Sequence, residues 1–232
     1  MSTFKRFLKY FTLFEKLLWL SSISIIITFF FIFDKTNYFN LILSLLGVTS
    51  LIFIAKGNPI GHAIMIIFAI MYGIVSFSYR YYGEMITYLF MSLPMAVFSL
   101  ISWLKNPYNG NHAQVKINKM TKKEYLITCL LALAVTVVFY FILKYFNTAN
   151  LAVSTISVTT SFFGAYLTYK RNPYYALGYV ANDIILIILW VMATITNITY
   201  LSVTVCFVVF LINDFYAFIN WRKLQKLQSS KE

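Results

Sequence analysis

The stretch "NPYYALGYVANDIILIILW", residues 172–190, is apolar over most of its length yet carries Asn182 and Asp183 side by side near its middle. A run of about 20 such residues is what crosses a bilayer core about 30 Å thick. An ionisable side chain inside such a run is costly and marks a site. The fold therefore turns on whether this run spans a membrane.

The rest of the sequence says that it does. Of 232 residues, 60% are hydrophobic and 11% charged, against about 45–50% and about 25% in soluble domains. Apolar runs of near-spanning length fall at 17–33, 38–55, 60–79, 84–104, 125–144, 150–169, 173–193 and 197–219. The expected fold is an all-α integral membrane protein with about eight transmembrane helices.

The formal charge of +12 belongs to topology and does not point to nucleic acid. With the N-terminus inside, sixteen Lys and Arg fall in inner segments, including Lys56, Lys105, Lys116, Lys170, Arg171 and Lys223. Only three, Lys35, Arg80 and Lys144, fall in outer loops. That bias places a multi-pass protein in the cell membrane with both termini cytoplasmic. Phe4, Phe7, Phe11 and Phe14, interleaved with Lys5, Arg6 and Lys9, read as an interfacial helix over 1–16.

The chain also repeats itself. "NLILSLLGVTS" from Asn40 resembles "NLAVSTISVTTS" from Asn150, "GNPIGHAIMIIFAIMYGI" from Gly57 matches "RNPYYALGYVANDIILII" from Arg171, and "SLISWLK" ending at Lys105 matches "YAFINWRK" ending at Lys223. Each unit holds four helices, an even number, so the halves are expected to be parallel repeats about an axis along the membrane normal, with substrate between them. The expected partition is a first repeat 17–104, a basic cytoplasmic loop 105–124, a second repeat 125–219 and a cytoplasmic tail 220–232.

Polar residues inside the spans mark the candidate site. Tyr175, Tyr179 and Asn182 share one helical face, with Asp183 beside them. Asn182 lies about 13 Å above Pro173, close to mid-membrane. In the last span Asn213, Tyr216 and Asn220 form a stripe with Asp214 adjacent, so both Asn-Asp pairs are expected to approach one cavity. The first half offers Tyr72, Ser92 and Pro94, the proline acting as a kink or hinge. Glu84 is placed to cap a helix start. Trp103 and Trp221 read as interfacial belt residues, and His62 and His112 as lone loop histidines. Neither histidine has a metal-ligand partner, and Cys129 and Cys206 have no metal-like spacing. No His or Cys stands beside a carboxylate and no Gly-rich phosphate loop occurs, so neither an enzyme nor a cofactor is expected.

"NDFYAFINW" near the end, "YYGEM" with "LPM" in the first half, and eight spans together resemble the PnuC family of vitamin transporters, from about residue 15 onward. The resemblance implies an architecture similar to SWEET sugar transporters. Three-helix bundles would lie at 38–104 and 150–219, joined by a linker helix 125–144, with 17–33 an added first helix. It implies uptake of nicotinamide riboside, an NAD precursor, by facilitated diffusion with alternating access, the cargo being trapped by a cytosolic kinase. The family's tryptophan pair on the seventh span is replaced here by Tyr175 and Gly178, which leaves thiamine and riboflavin as alternative cargoes. A non-transporting membrane scaffold is the alternative of another class. A homo-oligomer is compatible with all of these.

Overall fold

The computed structural model describes residues 10–78 and 82–230. The interfacial helix expected over 1–16 lies mostly outside the described residues. Helix α1 (Leu13–Phe29) passes into a π-helical turn Phe30–Asp34, followed by α2 (Tyr38–Ala55), α3 (Ile60–Ser78) and α4 (Tyr82–Thr87). A second π turn, Tyr88–Ser92, joins α4 to α5 (Leu93–Leu104). A hairpin of β1 (Pro107–Tyr108) and β2 (Asn111–Val115) precedes α6 (Lys122–Tyr145), α7 (Leu151–Tyr169), α8 (Tyr175–Thr196) and α9 (Leu201–Ser229). Seven helical stretches among the described residues are long and apolar enough to span a membrane, and α3 adds a shorter apolar one, Ile60–Ile74.

The burial pattern is that of a protein dissolved in lipid. Large apolar side chains such as Phe90, Leu126 and Phe141 lie on the outside, while Asn182, Asp183, Asn213 and Asp214 are buried. Lipid tails offer apolar side chains as good a solvent as the interior does, so helices associate through close packing and polar contacts. Gly178 of α8 shows the first. A Cβ there would stand 2.7 Å from the Gly164 Cα of α7, so glycine at 178 allows this approach.

At the C-terminal ends of α2 and α7 the polar contacts dominate. The last carbonyls of a helix have no partner within it. Here Trp103 Nε1 donates to Thr168 O and Ser102 Oγ to Tyr169 O, each at 2.9 Å. Reciprocally, Trp221 Nε1 donates to Ile54 O at 2.9 Å and Asn220 Nδ2 to Ala55 O at 2.8 Å. The two indoles touch, with ring centroids 5.2 Å apart. Positions that the sequence comparison pairs thus make corresponding bonds, each half capping the other's helix end. Trp103 and Trp221 are 1% and 0% exposed, which corrects the belt reading: their N–H groups are needed at a buried helix terminus.

The correspondence extends to the helix starts. Thr12 with Glu15, and Thr121 with Glu124, form capping boxes. Glu15 pairs with Lys56, and Glu124 with Lys170. Asn58 Nδ2 donates to Tyr10 Oη at 3.0 Å, and Asn172 Nδ2 to Tyr125 Oη at 2.9 Å. Both α2 and α7 end in the same turn, with a left-handed residue, Gly57 (φ 71°) or Arg171 (φ 57°), followed by Asn-Pro.

Other features differ from the sequence expectations. His62 sits inside α3, buried, with its ring edge-on to Trp103 at 4.2 Å, and is not a loop residue. The loop 105–124 contains a hairpin, which the Asn109–Gly110 turn signal encodes through two residues with positive φ. The tail is helical to Ser229, and Gln228 clamps that loop by bonding Ile117 N and Val115 O.

Candidate functional site

Helix α8 packs between α7 and α9, and the two carboxyl groups expected near mid-membrane meet across the α8–α9 contact. Asp183 and Asp214 are 4% and 3% exposed and interact directly with each other. Asp183 Oδ2 is left buried without a partner, as is the hydroxyl of Tyr175. Tyr88, Tyr179 and Cys206 lie within electrostatic reach of Asp183, and Tyr175 and Tyr179 within that of Asp214. None of these is a cation.

The other residues singled out from the sequence divide into two groups. Asn182 accepts from Thr160 Oγ1 of α7 at 3.1 Å. Tyr175 and Tyr179 stand edge to face with centroids 6.2 Å apart, and Tyr175 also meets Trp221 at 4.9 Å. These stay with the α7–α8–α9 face. Asn213 and Tyr216 turn away from it. Asn213 Nδ2 donates to Ser22 Oγ of α1 at 3.0 Å, and Tyr216 Oη to Glu15 Oε1 at 2.7 Å. Their stripe faces the N-terminal helix, where Tyr216 lines a cavity of about 580 Å³ with Tyr10, Glu15, Lys56 and Lys223.

In the first half, Tyr72 Oη donates to Glu84 Oε2 at 2.7 Å, which gives Glu84 a partner beyond the helix cap expected for it. Tyr88, absent from the sequence reading, meets Tyr72 with ring centroids 4.1 Å apart and planes tilted by 37°. Its position follows from Pro94. The proline has no N–H to continue the α pattern, and the preceding turn widens, with Leu93 N bonding Tyr88 O five residues back. Such π turns recur at functional sites. The order of Tyr88 and Pro94, six residues apart, is the signal that was present in the sequence.

Comparison with known proteins agrees with this architecture. The family model described as "Nicotinamide mononucleotide transporter" matches residues 37–223. A nicotinamide riboside transporter PnuC of Neisseria mucosa is 27% identical over 206 residues, covering 87% of this chain and 78% of the relative. One of Haemophilus influenzae is 22% identical, covering 91% of each. The crystal structure of the vitamin B3 transporter PnuC, at 24% identity, superposes with a TM-score of 0.80 over 94% of both chains and so shares the fold. With its polar residues buried between apolar spans and the family model matched over most of its length, the chain belongs to the PnuC family of nicotinamide mononucleotide transporters, multi-pass membrane transporters and not enzymes.

Proposed function

We propose that this chain carries nicotinamide riboside across the cell membrane by facilitated diffusion with alternating access, binding it beside Asp183 and Asp214. The observation that carries this reading is the buried carboxyl pair, joined across two spans and ringed by tyrosines, in a chain whose relatives are riboside transporters. The riboside is a pyridinium cation with a carboxamide and sugar hydroxyls. Tyrosine faces attract the cation, an interaction worth about 2 kcal/mol when desolvated. Asn182 can both donate and accept.

The same pair argues for a nucleoside over a nucleotide. A phosphate would add negative charge beside two carboxyl groups, and like charges in a low dielectric repel strongly. Cargo contacts are assigned to Tyr72, Tyr175, Tyr179, Asn182, Asp183 and Asp214, with Asn213 and Tyr216 securing the N-terminal helix. The halves are taken as parallel repeats with bundles 38–104 and 150–219, linker 125–144 and added helix 17–33. Pro94 serves as the hinge, and both termini are cytoplasmic. The reciprocal bonds of Trp103 and Trp221 support that partition.

Calorimetric binding to detergent-purified protein, with uptake into proteoliposomes, tests the reading. Nicotinamide riboside should bind, show saturable counterflow, and bind at least about tenfold more weakly to folded Asn182→Ala and Asp183→Asn. Binding of thiamine or riboflavin in its place would reassign the cargo. Flux without saturation would replace the carrier with a channel.

A further inference from the structure

The first half of the chain holds a carboxylate that the reading above does not use. Glu84 sits near the start of a spanning stretch, Tyr82–Leu104, and among the described residues no Lys or Arg pairs with it. A carboxylate kept in such a place calls for a role. Tyr72 fixes its orientation by donating to Oε2. Tyr72 in turn belongs to an aromatic cluster: Phe68 stacks on it at 5.9 Å, and Tyr88 covers it at 4.1 Å.

Tyr88 connects this cluster to the second half. It lies within electrostatic reach of both Glu84 and Asp183. Asp183, for its part, has a buried oxygen without a hydrogen-bond partner. The two halves therefore bring carboxyl groups within reach of one tyrosine, with aromatic rings from both. Carboxylates together with aromatic rings are the chemistry that recognises an organic cation, because ring quadrupole and negative charge both favour it.

We propose that Glu84, oriented by Tyr72 and backed by Tyr88, is the first half's contact to the cargo's positive charge, so that the site selects permanently cationic rings over uncharged ones of the same shape. This rests on the uptake reading above and adds to it a residue and a rule of selection. Asp183 and Asp214 hold the cargo from one side and Glu84 from the other.

Two probes of nearly equal shape separate charge from fit: nicotinamide riboside, whose ring is cationic, and its 1,4-dihydro form, whose ring is neutral. In calorimetry on detergent-purified protein, the wild type binds the cation at least about tenfold more tightly than the dihydro form. Glu84→Gln weakens cation binding about tenfold or more while the dihydro form changes by less than about twofold, so the ratio collapses. Tyr72→Phe, a smaller change that keeps the ring and withdraws the donor to Glu84, shifts the ratio the same way by about two- to fivefold and serves if the glutamine variant does not fold. An unchanged ratio in either folded variant overturns the role of Glu84 while leaving riboside uptake intact. Wild-type protein that binds neither probe overturns the uptake reading itself.

Discussion

The two capping carboxylates offer a controlled experiment, because the same motif occurs at two depths. Glu15 is 2% exposed and holds Lys56 through both oxygens, at 2.9 and 3.0 Å, while also accepting from Tyr216 at 2.7 Å. Glu124 meets Lys170 at 3.4 Å with side chains 31% and 27% exposed. Glu15→Gln keeps the shape and one acceptor but leaves the Lys56 ammonium, itself only 16% exposed, without its counter-charge. Removing one partner of a buried pair costs about 3–5 kcal/mol. The Tyr10 ring 4.8 Å from Lys56 Nζ remains and holds part of the charge, so the low end, about 3 kcal/mol, applies. At about 2–4 °C per kcal/mol for a chain of this size, the melting temperature falls by about 6–12 °C. Glu124→Gln moves it by no more than about 1–2 °C, as expected for a solvent-screened pair. The assay is thermal unfolding in detergent followed by native tryptophan fluorescence, which the buried Trp103 and Trp221 report. Removing both partners in Glu15→Gln/Lys56→Met restores more than half of the loss, since no unpaired charge then remains buried. Equal shifts for the two glutamine variants, or none for Glu15→Gln, would refute the argument from burial.

Two further substitutions test packing and backbone. Gly178→Ala forces a Cβ to within 2.7 Å of Gly164 Cα, and overpacking of that kind costs about 1–3 kcal/mol. Melting should fall by several degrees, and riboside affinity with it, because α8 carries Asn182 and Asp183; an unchanged melting curve would show that the helices separate freely. Arg171→Gly should raise the melting temperature by about 1–4 °C. The residue is left-handed at φ 57° where the other half uses Gly57, and its Nε is buried without a partner. A lower melting temperature would mean that the guanidinium makes a contribution larger than the backbone strain.

Spans and charge bias made the helical membrane architecture legible, because in lipid the length of an apolar run and its side-chain solvent are almost the whole specification of a helix. The two Asn-Asp pairs were also expected to approach one another from neighbouring helices, and their carboxyl groups do meet. Periodicity failed where rotation about a helix axis matters. Asn213, Tyr216 and Asn220 share a stripe as the spacing requires, but the spacing does not say which neighbour the stripe faces, and Asn213 and Tyr216 bond to the N-terminal helix. Glu84 was read through its position in a first turn, which describes its backbone setting and omits the Tyr72 hydroxyl twelve residues away. The tryptophans looked like belt residues because both sit near span ends. What decides their role is a pair of helix-end carbonyls on other helices, invisible in the linear chain.

The contrast between conserved bonds and divergent side chains within this one molecule separates fold from chemistry. Where α2 and α7 end, carbonyls must find donors, and both halves supply them from equivalent positions: Ser102 and Trp103 in one, Asn220 and Trp221 in the other. The substitution of Ser for Asn at that point changes the side chain and keeps the bond. Nearer mid-membrane the backbone is satisfied within each helix, so no such demand holds the halves alike. There the second half places Asp183 and Asp214 together, and the first half supplies Tyr88 from a π turn, with Glu84 earlier in the same span. Polarity that the fold does not require, set in a solvent that penalises it by several kcal/mol per unpaired group, is what the proposed riboside site draws on.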